Sequence, residues 1–214
     1  MSLAGLSVEL PMILLVQRSG RGKVLMGNSE HGYQEQLLFM IKRDSFRVKA
    51  LDCVWQLGLP QCYLAAGFVR NLVWDHLHQK EHPTALNDLD VVYFDPTEEC
   101  DVAYLDFESR LRKMMPEVNW QVRNQAKMHS RNGDIPYTST LDALSYWPEK
   151  ETAVGIRKIN QHDYELITAF GWDSLFNLQL TANPKRSHAL FAQRVRDKRW
   201  LTLWPKLQIV ESMP

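Results

Sequence analysis

The chain has 214 residues, 45% of them hydrophobic and 23% charged, with Lys+Arg 25 set against Asp+Glu 25. These are the proportions of a globular chain that can bury a sizeable core, and the zero net charge argues against a protein that coats nucleic acid, while leaving room for a local basic patch. The three cysteines, Cys53, Cys62 and Cys100, are odd in number and match no zinc spacing, so they read as reduced thiols of a cytoplasmic protein.

No run approaches the ~18 consecutive apolar residues of a membrane helix, so no membrane partner is expected. The first ten residues carry Glu9 and no Lys or Arg, and the apolar run at 11–16 leads into Arg18 and Arg21 without a small-residue cleavage site. That pattern argues against a secretory leader. Residues 1–33 read as an N-terminal extension, in which 12–16 can pair at a sheet edge and 19–22 and 27–29 are turn or flexible chain.

From Tyr33 the pattern turns helical. Leu37, Leu38 and Ile41 share a face, Asp44 or Ser45 can cap a second helix, and Phe46, Val48, Leu51, Val54, Trp55 and Leu57 carry it to Gly58. Tyr63-Leu64-Ala65-Ala66 is short and apolar, bounded by Pro60 and Gly67, and suits a buried strand. A helix follows at once, with Phe68, Val69, Leu72, Val73, His76 and Leu77 at three- and four-residue spacing and Arg70, Asn71 and Asp75 towards the polar side. The next strand, through Leu89-Asp90-Val91-Val92-Tyr93-Phe94, is β-branched and aromatic.

Beyond it, Asp95-Pro96-Thr97-Glu98-Glu99 has helix-start chemistry, with Asp95 or Thr97 as the cap, and Tyr104, Phe107, Leu111 and Met114 keep helical spacing up to Pro116. A strand is expected over 120–126, with Trp120, Val122, Asn124 and Ala126 on one face, where Asn124 is either a satisfied buried amide or a residue beside metal and triphosphate. Ser139 to Asp142 resembles a capping box, and 153–158 with 164–170 form a hairpin. Arg157 on that hairpin either holds a phosphate or pairs with a carboxylate. From Gly171 onward the chain is helical or irregular. Between Pro184 and Lys206 stand seven basic residues and one acid, a local net of +6. This run is either a solvated helix face whose tryptophans Trp200 and Trp204 are core, or a polyanion surface on which they stack.

The chemistry concentrates between residues 63 and 95. Asp88 and Asp90 lie two apart on one strand face, with α-carbons about 7 Å apart, so their carboxylates can converge on one hard cation. Without a cation they repel, which raises one pKa or demands a counter-charge. Mg²⁺ binds oxygen at about 2.1 Å through one or two carboxylates plus substrate phosphates, and meets that demand, with Mn²⁺ as the substitute. The turn at Ala66 and Gly67 opens a helix whose first N–H groups, Phe68 and Val69 among them, face an anion. Arg70, one turn on, either neutralises phosphate or pairs with Asp90.

Ala66-Gly67-Phe68-Val69-Arg70-Asn71, then Asn87-Asp88-Leu89-Asp90-Val91, resembles the signature of the polymerase-beta-type nucleotidyltransferases, in which a Gly-Gly or Gly-Ser turn precedes an Asp-x-Asp strand. Its wording is nearest to the head of tRNA nucleotidyltransferases. Residues 34–205 are similar to a family of small bacterial nucleotidyltransferase-like proteins. The resemblance implies a small mixed β-sheet in an α/β (α+β) core, with helices mainly on one face, the site on the other and a helical C-terminal segment. It also implies an extension at 1–33, a core domain at 34–205 and a tail at 206–214. The implied reaction is Mg²⁺-dependent transfer of a nucleoside monophosphate from an NTP to an unassigned acceptor, which can be a small molecule, a protein or an RNA. Asp88 and Asp90 would be metal ligands and catalytic, and Ala66, Gly67, Phe68, Arg70 and Asn124 would bind nucleotide, with Gln125 and His129 as weaker neighbours. Two departures stand out. Ala66 replaces the first glycine of the turn, which is tolerable at negative φ, and the strand from Trp120 carries no third carboxylate. A chain that keeps the fold and binds nucleotide without transfer is the alternative.

Overall fold

Two helices open the described part of the chain, residues 29–210 of a computed structural model: α1 (Glu30–Lys42) and α2 (Ser45–Trp55). The strand expected at 12–16 and the turn at 19–22 lie outside the described residues. Ser29 Oγ accepts from Gly32 N at 3.2 Å, and Asp44 Oδ1 accepts from Arg47 N at 3.0 Å, so Asp44 caps α2. Leu37, Ile41, Leu51 and Val54 are buried, whereas Phe46 and Trp55, counted with the same apolar set, are exposed.

The central unit follows as β1 (Tyr63–Ala65), α3 (Gly67–Leu77) and β2 (Leu89–Tyr93). The next helix, α4 (Ala103–Met114), begins later than the acidic turn suggested. Asp95 Oδ1 accepts from Thr97 N at 2.9 Å and from Thr97 Oγ1 at 2.7 Å, closing a local Asx turn instead of capping a helix. The strand β3 (Trp120–Asn124) also ends early, because Asn124 Oδ1 accepts from Ala126 N at 3.1 Å and starts α5 (Gln125–Asn132). Ser139 caps α6 (Thr140–Leu144), while Asp142 turns its carboxylate to Thr138 N. A 3₁₀ turn at Lys150–Thr152 leads to the hairpin β4 (Val154–Lys158) and β5 (Tyr164–Thr168), then to α7 (Asp173–Phe176), β6 (Gln179–Thr181), α8 (His188–Asp197), α9 (Trp200–Leu203) and β7 (Gln208–Val210).

The five-stranded sheet has the order β3-β2-β1-β4-β5, with β2 and β3 parallel and the other pairs antiparallel. It is the mixed sheet of an α/β fold. Alternation along the strands sends Leu64, Val91, Tyr93, Val122 and Ile156 into the main core under the helices. On the opposite face, among the described residues, Tyr63, Ala65 and Val92 form a small apolar cluster packed by Trp147 and Ile167. Residues 208–210 pair in parallel with β6.

The C-terminal segment belongs to the main core. Phe191, Val195, Trp200, Trp204 and Leu207 all join it, so the tryptophans within the basic run are core residues. At ~25 cal/mol per Å² and ~150–250 Å² per aromatic side chain, Trp200 and Trp204 together contribute on the order of 8–12 kcal/mol before chain entropy is counted.

Candidate active site

The turn between β1 and α3 departs from the sequence expectation in its detail. Ala66, not Gly67, holds the positive φ, at φ 52° and ψ −119°. A Cβ in that region is strained. Val69 N and Arg70 N both donate to Ala66 O, at 3.1 and 2.9 Å, so the Val69 N–H expected to face an anion is already committed. The N–H groups of Gly67 and Phe68 precede the first intrahelical bonds and are the two that the helix leaves to a ligand. The Phe68 ring is buried in the core, leaving its backbone alone for that role. A Cβ built on Gly67 would meet nothing nearer than Asn71 Oδ1 at 3.5 Å, so the fold itself does not demand glycine there.

Ala66, Gly67, Arg70, Asp88 and Asp90 line one cleft of about 350 Å³. β1 and β2 are adjacent and antiparallel, so the end of β1 and the start of β2 reach the same end of the sheet. This puts the glycine-opened helix and the acid pair together. Burial, and then the charge of Asp88, push the Asp90 carboxyl up to about 6, while Arg70, Lys198 and Arg194 pull it down. The pair therefore holds more negative charge than this partly enclosed site accommodates unaided.

The polar side of α3 is not solvated as its periodicity suggested. Arg70, Asn71 and Asp75 are all buried, because α9 packs over them. The Arg70 guanidinium lies between Trp74 and Trp200, at 5.1 and 4.6 Å from the ring centres, and donates to Asn71 Oδ1 at 3.0 and 3.3 Å. Burial lowers its pKa to about 10, and among the described residues it makes no ion pair with Asp90. Asp75 accepts from Thr84 N at 2.7 Å, Thr84 Oγ1 at 2.6 Å and Trp204 Nε1 at 2.7 Å. It thereby ties the loop before Asp88, and the C-terminal segment, to α3. The available signal was its place in the last turn of a helix, where an acid opposes the macrodipole.

Asn124 lies away from the cleft, as a satisfied buried amide. β2 and β3 run in parallel register, with Asp90 opposite Gln121 and Tyr93 opposite Asn124. Asn124 therefore shares the helix-covered face with Tyr93 and lies on the opposite face from Asp90, three residues along. Its Oδ1 accepts from Asp95 N at 3.1 Å, and its Nδ2 donates to Asp95 O at 2.8 Å and to Glu98 Oε1 at 3.1 Å. This amide braces the ends of two strands and does not line the cleft. Gln125 Nε2 donates to Arg123 O, and His129 Nδ1 lies 2.9 Å from Ala126 O, both likewise outside the cleft. Arg157 pairs with Glu165 on the hairpin.

The basic run supplies the far wall. Arg194 and Lys198 line the cleft with Trp200, Leu203 and Trp204, and Trp147, Pro148 and Thr152 close another side. Behind Arg194 lies Glu149, fully buried, accepting from Arg194 Nε at 2.6 Å and from Thr152 Oγ1 at 3.1 Å. Neither Glu149 nor Thr152 carried a periodic or motif signal that assigned it to a site.

Among the described residues no group of three His, Cys, Asp or Glu side chains is placed to hold a metal ion. Two adjacent carboxylates, one with a raised pKa, suit a magnesium ion that arrives with phosphate oxygens to complete its shell. They do not suit an ion caged by protein alone.

A sequence profile described as Nucleotidyltransferase matches residues 52–209. No curated protein matches the chain. Among solved structures, one described as revealing a CCA-adding enzyme head domain superposes with a TM-score of 0.72 at 31% identity, covering 83% of this chain and 96% of that one. Two apo forms of a tRNA-processing enzyme reach TM-scores of 0.46 and 0.45 at 18% and 17% identity, and the chain spans 42% and 44% of their lengths. With the profile running from α2 to β7 and the 31% identical head domain sharing the fold, the chain belongs to the nucleotidyltransferase family.

Proposed function

We propose that the protein transfers a nucleoside monophosphate from an NTP to an acceptor in a Mg²⁺-dependent reaction. The observation that carries this reading is the meeting of Asp88, Asp90 and the Gly67 turn in one cleft. In the transfer, an acceptor O–H or N–H attacks the α-phosphorus as the bond to the α,β-bridging oxygen breaks. The electron pair stays on pyrophosphate, and the acceptor proton passes to water. The N–H groups of Gly67 and Phe68 hold phosphate oxygens at the start of α3. Asp88 and Asp90 hold the cation, which, when bound, supplies charge stabilisation at the transferring phosphoryl group. Arg70 acts as a buried positive charge behind the turn. RNA enters the acceptor classes to be tested because the 31% identical neighbour is described as a CCA-adding head domain.

The test is pyrophosphate release from each of the four NTPs, with and without Mg²⁺ and with candidate acceptors, in the wild type and in Asp88→Asn and Asp90→Asn. Loss of turnover by at least about a hundredfold in both variants is expected, from removing charge stabilisation worth several kcal/mol. Undiminished turnover in either rejects the assignment.

A second reading, a nucleotide-binding module without transfer, is favoured by the residue opposite Asp90. That residue is Gln121, and a glutamine neither accepts a proton as a carboxylate does nor neutralises charge. NTP affinity by calorimetry, with no pyrophosphate released to any acceptor, would select it.

A further inference from the structure

The cleft has an acidic side and a basic side that come from distant segments of the chain. Asp88 and Asp90 flank Leu89 at the entry to β2, while Arg194 lies in the last turn of α8 and Lys198 caps its C-terminal end. Arg70, the nearest cation of the central unit, is spent on Asn71 and two indole faces. The charge available to an anionic ligand is therefore that of α8.

The two α8 residues are held differently. Arg194 is fixed from behind: Nε and Nη2 donate to the two Glu149 oxygens at 2.6 and 3.3 Å, and Nη1 makes no hydrogen bond among the described residues. Glu149 is 0% exposed. Arg194 itself is half-buried, and an ion pair with one partner taken out of water adds little net stability, so what the pair achieves is a fixed direction for a guanidinium on a cleft wall. Lys198 is exposed, and its ammonium has no ion-pair partner among the described residues. α9, docked by Trp200 on Arg70 and by Trp204 on Asp75, holds this end of α8 against the acid pair.

We propose that Arg194 and Lys198 form a polyphosphate clamp, preset by Glu149, that holds the β- and γ-phosphates of the NTP and the pyrophosphate that departs from it. This inference rests on the transferase reading for its substrate and adds the residues that recognise it. Phosphate oxygens match the free edge of a guanidinium and the point charge of an ammonium. The cleft thereby selects triphosphate over monophosphate, and the clamp neutralises charge that grows on the leaving group as the P–O bond breaks.

The experiment is calorimetric titration of inorganic tripolyphosphate, an NTP and its NMP, at fixed ionic strength with Mg²⁺, into the wild type, Lys198→Ala and the double variant Arg194→Met/Glu149→Gln. The double variant removes both partners of the buried pair, so no charge is left stranded. Arg196→Ala, on the same helix but outside the cleft, is the control. Lys198→Ala is expected to weaken tripolyphosphate and NTP about tenfold, the equivalent of one charge-assisted contact, and the NMP by less than about twofold. The double variant should do the same or more, and the control should match the wild type. Unchanged tripolyphosphate affinity in both clamp variants, absence of tripolyphosphate binding to the wild type, equal losses for NMP and NTP, or an equal loss in Arg196→Ala would each overturn the clamp. The two ideas fail separately. Clamp-dependent tripolyphosphate binding without pyrophosphate release sinks only the transferase reading, and turnover lost in Asp88→Asn but untouched in Lys198→Ala sinks only the clamp.

Discussion

Ala66 holds a positive-φ backbone conformation that glycine adopts most readily, φ 52°. Left-handed backbone costs an alanine roughly 1–2 kcal/mol, whereas glycine adopts it freely but loses more chain entropy on folding. Ala66→Gly is accordingly expected to stabilise the protein by about 0.5–1 kcal/mol in urea unfolding. A destabilised variant would show that the turn is not strained. Asp90 gives a pH-dependent counterpart. Its folded pKa of about 6 lies above the ordinary 3.8, so below pH ~4 it is protonated in both folded and unfolded chains and contributes nothing. Between pH ~4 and ~6 the unfolded chain releases a proton that the fold retains, so stability falls through this window and levels off above it, a penalty of at most about 3 kcal/mol. Asp90→Asn should raise the urea midpoint near pH 8 and leave it unchanged near pH 3. A gain of the same size at both values would mean that charge is not the cause.

Among the elements, the junction of β3 and α5 was the least visible beforehand. A strand pattern running to residue 126 is cut by one amide, because Asn124 serves both the Asp95 turn and the first turn of α5. Replacing it leaves two backbone donors and Glu98 short of a partner. Asn124→Ala should cost about 1–3 kcal/mol without changing NTP affinity at the cleft, since it occupies the other sheet face. A fall in NTP affinity with stability unchanged would return Asn124 to the site. The hub at Asp75 works the other way, through the cleft: Asp75→Ala frees Thr84 and Trp204 together. Hydrogen exchange should then quicken at residues 84–88 and in α9 at once. Acceleration in only one of them would show that Asp75 does not couple the loop to the C-terminal segment.

At the scale of the whole molecule, the C-terminal segment is both core and cleft wall. Phe191, Val195, Trp200, Trp204 and Leu207 complete the cluster that contains Trp74 and Val69, so a chain truncated after residue 183 exposes a large apolar surface. Such a truncation is expected to lose cooperative thermal unfolding and to bind a hydrophobic dye. A sharp transition in the truncated chain would show that the central sheet folds alone. The zero net charge conceals the same division, because the +6 of residues 184–206 contributes Arg194 and Lys198 to a cleft whose acids come from β2.

What the sequence determined by itself was local: the apolar strands around Asp90, the helix opened at Gly67 and the hairpin near Arg157, whereas β2 begins at Leu89 and leaves Asp88 on the loop before it. Each depends on periodicity or on residues a few positions apart, which the backbone geometry converts directly into proximity. Tertiary structure alone decided which face Asn124 occupies, why Arg70 and Asp75 are buried, that Ala66 bears the strained φ, and that Arg194 and Lys198 meet Asp88 and Asp90 across a cleft. Those outcomes depend on the register between β2 and β3 and on the docking of α8 and α9 over α3. Both are set by packing between segments up to a hundred residues or more apart, where side-chain spacing along the chain carries no information about distance in space.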